Sequence, residues 1–356
     1  MWQRLGLFSG MLCVGSVAGA LAWIAALQSN STGFERQAPG ISRQQSYALH
    51  ASNFRWYAGF LVLYSLEFLC LVVCKLMLLG RLADNARHSS QAEVTDMSGV
   101  RRRWLNGRTL PNAYRVMAGA VVAGSVVGIA ANVASATYYA QFAAVSDQAS
   151  AACDASGNDT NSSRALFSAS LIFQTKAYTA ITVQASSEAV TLLLVSFAFV
   201  VVVSWSVAII GIAERIAARA LIPSTNRTDP LQSGDLRKYS IVADTKQAAA
   251  EQRRRLIVAC VVVLVTFPAR AAFDLLNAFA TFQDLQNPDC DVCDPCQSEQ
   301  WLIRHWIDNT PEFQSIVVAV SSPLPLTLSL WLITKAHARA RLIAEDMQRV
   351  RLVDGV

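Results

Sequence analysis

The chain has 356 residues, 53% of them hydrophobic and only 15% charged, with a formal net charge of +5. A soluble protein carries about 25% charged residues, so this deficit, gathered into long apolar blocks, excludes an ordinary soluble domain and indicates a polytopic membrane protein. The positive balance does not indicate nucleic acid, because Lys and Arg flank apolar runs and form no aromatic-interleaved or zinc-finger pattern.

Six blocks are long enough to cross about 30 Å of hydrocarbon at 1.5 Å per residue. They lie at about 6–27, 54–79, 115–142, 188–213, 256–280 and 313–334. The expected fold is therefore all-α, a single bundle of six transmembrane helices. The first block begins after Arg4 and contains Ala20-Leu21-Ala22, which resembles a signal-peptide cleavage site. Its apolar stretch runs on to Leu27, which favours a retained anchor over a cleaved leader.

Orientation follows from the loops, since cations resist translocation. Segments 81–113, 214–255 and 335–356 hold six, nine and five Lys or Arg, whereas 28–53, 143–187 and 281–312 hold two, two and one. This alternation places both termini in the cytosol. The glycosylation sequons at Asn30, Asn158 and Asn161 then fall outside and the one at Asn226 inside. Asn158 and Asn161 are the better candidates, because Asn30 lies close to the membrane. Segment 164–187 interrupts its apolar residues with Ser168, Gln174, Thr175, Lys176 and Gln184, which suits an amphipathic helix in an outer loop at 143–187, or an extension of span four, better than a further crossing.

The motif CDVCDPC holds Cys290, Cys293 and Cys296 in the outer loop 281–312, and Cys153 lies in the outer loop before it. Outside the cytosol such thiols tend to form disulfides, so Cys153 is expected to pair with one of the trio. A zinc site would need further ligands, and His305 is the one nearby histidine; a CxxC redox centre would need a thioredoxin-like context. No metal or cofactor is expected. The same loop carries seven acidic residues against Arg304, which suits a solvated loop or recruitment of a cation.

Charges within the spans need a partner or a role. Glu67 lies mid-way along span two, while Arg270 and Asp274 lie one turn apart in span five. Glu67 and Arg270 can meet at one depth if those spans pack together. Structural glue, an Arg270–Asp274 pair at i,i+4 that leaves Glu67 facing a wet cavity, and a proton or ion relay are the three readings. Lys75 is expected to snorkel to the cytosolic face. Pro268, Pro323 and Pro325 are expected to break or kink their helices, freeing carbonyls. Gly15 and Gly19, and on span three Ala120, Gly124 and Gly128 followed by the polar Asn132, form small-residue faces suited to close packing within the chain or to a homo-oligomer seam.

No Walker A, GxSxG or HExxH motif occurs, and the cytosolic loops are short for a catalytic domain of about 50 residues. A non-enzymatic role is expected. RRRLIVACVVVLVTFPARAAFDLLNAF (253–279) and TPEFQSIVVAVSSPLPLTLSLWLITK (310–335) carry a basic run, an intramembrane Arg270, and a proline-bearing last span ending in Lys335. In these features the chain resembles the last two spans of the tobamovirus multiplication protein family, receptor-like seven-span eukaryotic membrane proteins. It departs from them in having six spans, in Ser-Ser-Pro where the family tends to place an acidic residue, and in lacking a DRY triplet or NPxxY. The resemblance implies a receptor-like or scaffolding role in the plasma membrane or an endomembrane. The alternative is a small-solute or ion transporter using Glu67, Arg270, Asp274 and the proline-broken last span. Expected partners are the bilayer itself and, at the basic inner loops and the amphipathic tail 335–356, anionic lipid or a cytosolic protein.

Tags placed in 81–113, in 214–255 or beyond 335 are expected to be reached only after cells are permeabilised. A sugar found on Asn226 would overturn this threading.

Overall fold

The computed structural model describes residues 2–36, 38–93, 109–156, 161–220, 233–286, 326–329, 331 and 332. They are helical almost throughout, in five long elements: α1 (Trp2–Arg36), α2 (Arg43–Glu93), α3 (Thr109–Ser156), α4 (Asn161–Ala220) and α5 (Ser233–Gln286). Each contains an apolar stretch long enough to cross a membrane. The logic is local: in hydrocarbon no water satisfies the backbone, and a helix satisfies it within one segment. Hydroxyls are absorbed the same way. Ser65, Ser125, Thr175, Thr182, Ser206 and Thr266 each donate to the carbonyl four residues earlier.

Segment 164–187, expected as an amphipathic helix or an extension of span four, is one continuous helix with that span, and since α3 continues to Ser156 and α4 begins at Asn161 most of 143–187 is helical. Within it Thr175, Thr179 and Thr182 each donate to the carbonyl four residues earlier. One expectation needs correction: Pro268 does not break its helix, and α5 runs through it without interruption. The proline lacks the N–H that would reach the carbonyl of Leu264, and the neighbouring bonds carry the helix past that gap. The expected sixth span, with Pro323 and Pro325, falls outside the described residues save for helical turns at 326–329 and 331–332.

The α1–α2 turn has explicit chemistry. Gly40 takes a positive φ of 90°, which suits a residue without Cβ. Ser42 and Gln45 then form a reciprocal capping box: Gln45 N donates to Ser42 Oγ (3.2 Å) and Ser42 N to Gln45 Oε1 (3.3 Å).

Contacts divide the chain into two compact units, the first Met1–Lys75, Gly119–Leu194 and Phe267–Pro323, the second Leu76–Ala118, Val195–Thr266 and Leu324–Val356. In the first, α1 and α2 pair antiparallel along a continuous ladder. Arg36 meets His50, Ser29 meets Asn53 and Trp23 meets Phe60; further along, Gly19 faces Glu67 and Gly15 faces Cys70. An aromatic column follows one face of α2. Tyr47, His50, Phe54, Tyr57, Phe60 and Tyr64 recur at three- and four-residue steps; the first four meet Tyr139 and Phe142 of α3 and Phe167 of α4 ring to ring, and Phe60 and Tyr64 continue the column along α2. Tyr139 and Phe142 are fully buried by it.

The small-residue face of α3 is used inside the chain, at least in part. Ser187 Oγ of α4 donates to the carbonyl of Gly124 (2.6 Å), and Gly128 lies against Ser187 and Phe68. Ala120 is exposed. In the second unit, Tyr114 Oη reaches the carbonyl of Leu76 (3.4 Å) across Gly80, and Leu78, Leu79, Phe199, Val202, Val263 and Leu326 are buried.

A methyl added at Gly124 would lie 2.6 Å from Thr191 Oγ1. Gly124→Leu is therefore expected to lower stability in detergent by about 1–3 kcal/mol, the range for overpacking. Adding Thr191→Ala should recover part of that loss, a non-additivity expected of side chains in contact. Unfolding midpoints of the purified variants measure both; a Gly124→Leu midpoint equal to wild type would show that this seam has room to spare.

Candidate functional site

The first unit encloses a group of ionisable side chains drawn from three helices. α2 supplies Tyr64, Glu67 and Lys75; α4 supplies Glu188; α5 supplies Arg270 and Asp274. All are less than a tenth exposed. Each comes from the packed face of its helix. On α2 the same three- and four-residue steps that place the aromatic column continue through Tyr64 to Glu67 and Phe68, so the column ends on charge.

Arg270 is the node. Its Nε faces both oxygens of Asp274, at 3.1 and 3.3 Å, one turn along α5. Its Nη2 donates to Tyr64 Oη and lies 3.4 Å from Glu188 Oε1. Glu188 in turn accepts from Tyr64 Oη (2.8 and 2.6 Å) and from Gln184 Nε2 (2.8 Å). The guanidinium carbon also lies 5.8 Å from the ring centres of Tyr64 and Phe273. One cation thus joins α2, α4 and α5. A planar fork with five donors can do this, where an ammonium cannot match several fixed acceptors at once.

Within and around this core sit atoms that are not satisfied. Glu67 Oε2, Arg270 Nη1, both amide atoms of Asn132 and Thr191 Oγ1 are buried without a hydrogen-bond partner. Glu67 is capped by α1: a Cβ at Gly19 would fall 2.6–2.8 Å from its carboxylate atoms, so only glycine leaves the carboxylate where it is. Asn132 sits on α3 between two rungs shared with α4, Ser135 with Ala177 (3.2 Å) and Gly124 with Ser187. That register puts Asn132 at the level of Ala180 on α4. Lys75 does not snorkel. It is 3% exposed and its ammonium lies over Phe267, 4.8 Å from the ring centre. Desolvated cations are held well by an aromatic face, and Phe267 is itself fully buried.

The structure therefore brings Glu67, Arg270 and Asp274 into one neighbourhood, with Arg270 and Asp274 paired at i,i+4. Arg270 bonds Tyr64 and Glu188 across the bundle instead of Glu67. Tyr64 and Glu188 escaped the sequence reading for identifiable reasons. Tyr64 carries no charge at neutral pH, and Glu188 stands at the first residue of the expected fourth span, where it reads as an end rather than an interior. The spacing of Gln184 and Glu188, four residues apart on one helix face, is the signal that was present.

Cys153, near the end of α3, is buried, and the trio Cys290, Cys293 and Cys296 lies outside the described residues. Asn158 lies outside them too, whereas Asn161 is the exposed first residue of α4. Among the described residues, no group of three or more His, Cys, Asp or Glu is placed to hold a metal ion. Compared with protein-family models, with curated proteins and with solved structures, the chain matches none.

Removing one partner of a buried ion pair strands the other. Arg270→Met, which leaves Glu188 and Asp274 without their cation, is expected to cost about 3–5 kcal/mol. Arg270→Lys should recover little of it, because the fork is lost while the charge remains. The unfolding midpoint in detergent reads both; an Arg270→Met protein as stable as wild type would show that the guanidinium is not the node described.

Proposed function

We propose that the protein is a multi-span membrane protein that moves a small solute or ion through its first unit, with the buried charge cluster as the working site. One observation carries this reading: three carboxylates (Glu67, Glu188, Asp274) are buried with two cations (Lys75, Arg270), and polar atoms beside them lack partners. Intramembrane ionisable groups are rare and commonly mark substrate, ion or proton pathways. In this proposal the chain threads six times with both termini in the cytosol. Cys153 is tied to the outer cysteine trio, Asn158 or Asn161 carries sugar, and the basic inner segments meet anionic lipid or a cytosolic partner. The membrane is the plasma membrane or an endomembrane of a eukaryotic cell.

A second reading, a receptor-like or scaffolding protein, is favoured by the bonds of Arg270 to partners on three helices, which suit a static core. The resemblance of the last two spans to the tobamovirus multiplication protein family supports the same reading.

Proteoliposomes loaded with a pH-sensitive dye, or with radiolabelled sodium, potassium or a mixture of amino acids, separate the two. Transport predicts flux of at least one of these species, reduced to the level of empty liposomes by Glu67→Gln, which is nearly isosteric. Flux absent from wild type for every species, or unchanged in Glu67→Gln, would favour the receptor-like reading.

A further inference from the structure

Among the three buried acids of the cluster, Glu67 is the one with an unpartnered oxygen. Glu188 accepts from Tyr64 and Gln184 and faces Arg270, and Asp274 faces Arg270 Nε through both of its oxygens. Each of these acids thus has charged or hydrogen-bonding partners on both sides of its carboxylate or at both of its oxygens. Glu67 Oε2 has none, and the residue is 5% exposed.

Every element packed on Glu67 gives the same account. On its own helix stand Tyr64, whose hydroxyl is committed to Glu188, then Cys70, and Lys75 two turns away over Phe267. α1 offers Gly15 and Gly19, with no side chain. α3 offers Gly128, which touches Phe68, and at the neighbouring level the uncharged Asn132. α4 offers Glu188, a like charge, and α5 offers Asp274 and Arg270, bonded to each other through Arg270 Nε, while Arg270 Nη1 is buried and makes no bond to Glu67. The charges of Arg270, Glu188 and Lys75 act on Glu67 from around it, yet none of the three is bonded to it. With all five groups ionised the cluster holds one negative charge too many, and burying uncompensated charge is costly.

We infer that Glu67 is a proton-binding site: its carboxyl takes up one proton, which makes the cluster neutral, and gives it up again when the site is opened to water. On release the O–H bond breaks, its electron pair stays on the carboxylate oxygen, and the proton passes to water. A metal cation fits the same place poorly. A hard cation takes about six oxygen ligands, whereas α1 lies against this carboxylate with less than a methyl group's room and supplies no side-chain oxygen at Gly15 or Gly19. A proton needs no such shell. The inference rests on the transport reading above in so far as it names the species exchanged there.

Infrared difference spectroscopy of the full chain in lipid nanodiscs, without any flux, tests it. The expected result is a carboxylic-acid carbonyl band, sensitive to deuterium exchange, that fades as pH rises. The band should shift when the protein is made with isotope-labelled glutamate, vanish in Glu67→Gln and persist in Glu67→Asp. Gly19→Ala, which pushes on the carboxylate, should move its frequency. Absence of a protonated carboxyl, a band that ignores labelled glutamate, or a band unchanged in Glu67→Gln overturns the inference. The labelling arm needs no variant to fold. A Glu67 proton without solute or ion flux would leave this site standing and sink the transport reading; flux without a Glu67 proton would do the reverse.

Discussion

Everything in the first unit is arranged around one constraint: a charge inside apolar surroundings has no water to turn to, so its partners must come from the protein. Arg270 meets that constraint by reaching three acceptors on three helices, Asp274 beside it and Tyr64 and Glu188 across the bundle. In water such contacts would each contribute little, because solvent competes for every donor. Buried, they are cooperative and directional, and leaving any one of them open is expensive. Arg270 therefore sets the mutual register of α2, α4 and α5 at this level.

That geometry makes demands on the neighbours. α1 comes close enough to cover Glu67 only because positions 15 and 19 are glycine, and α3 meets α4 closely because position 124 is glycine. Close approach of backbones is the usual means by which helices adhere in lipid, where apolar side chains gain nothing from leaving one oily environment for another. The aromatic column from Tyr47 to Tyr64 fills the rest of the interface with wide, stiff rings. It ends where the hydroxyl of Tyr64 can turn from packing to hydrogen bonding. Charged contacts at exposed positions are of another kind. Arg55 and Asp147 pair across α2 and α3 with much of both side chains exposed, and such pairs contribute about 0–1 kcal/mol.

The static and the working interpretations of the cluster differ in what they make of its imbalance. A purely structural network is best when every member is matched, and in the Arg270 core Nε and Nη2 are matched while Nη1 is not. The surplus acid and the orphaned atoms of Glu67, Asn132 and Thr191 contribute nothing to adhesion between helices. They are the groups on which a solute, an ion or a proton would act. For that reason the mismatch, more than the mere presence of charge, supports a working site.

Much of this protein was legible in its linear order. Apolar run length alone marks five stretches that the structure shows as helices long enough to cross a membrane, because hydrocarbon thickness and helical rise are fixed quantities. The rarity of charge in those runs singled out Glu67, Arg270 and Asp274, since each carries an energetic cost wherever the helix is placed, and the i,i+4 spacing of the last two made their pairing readable. Two things were not legible: that Arg270 would choose Tyr64 and Glu188 over Glu67, and that Lys75 would turn inward onto Phe267. These depend on which helix faces which, and at what rotation. A residue's cost of burial is a property of its own chemistry and travels with the sequence; the identity of its partner is a property of distance, and only the folded bundle sets distances.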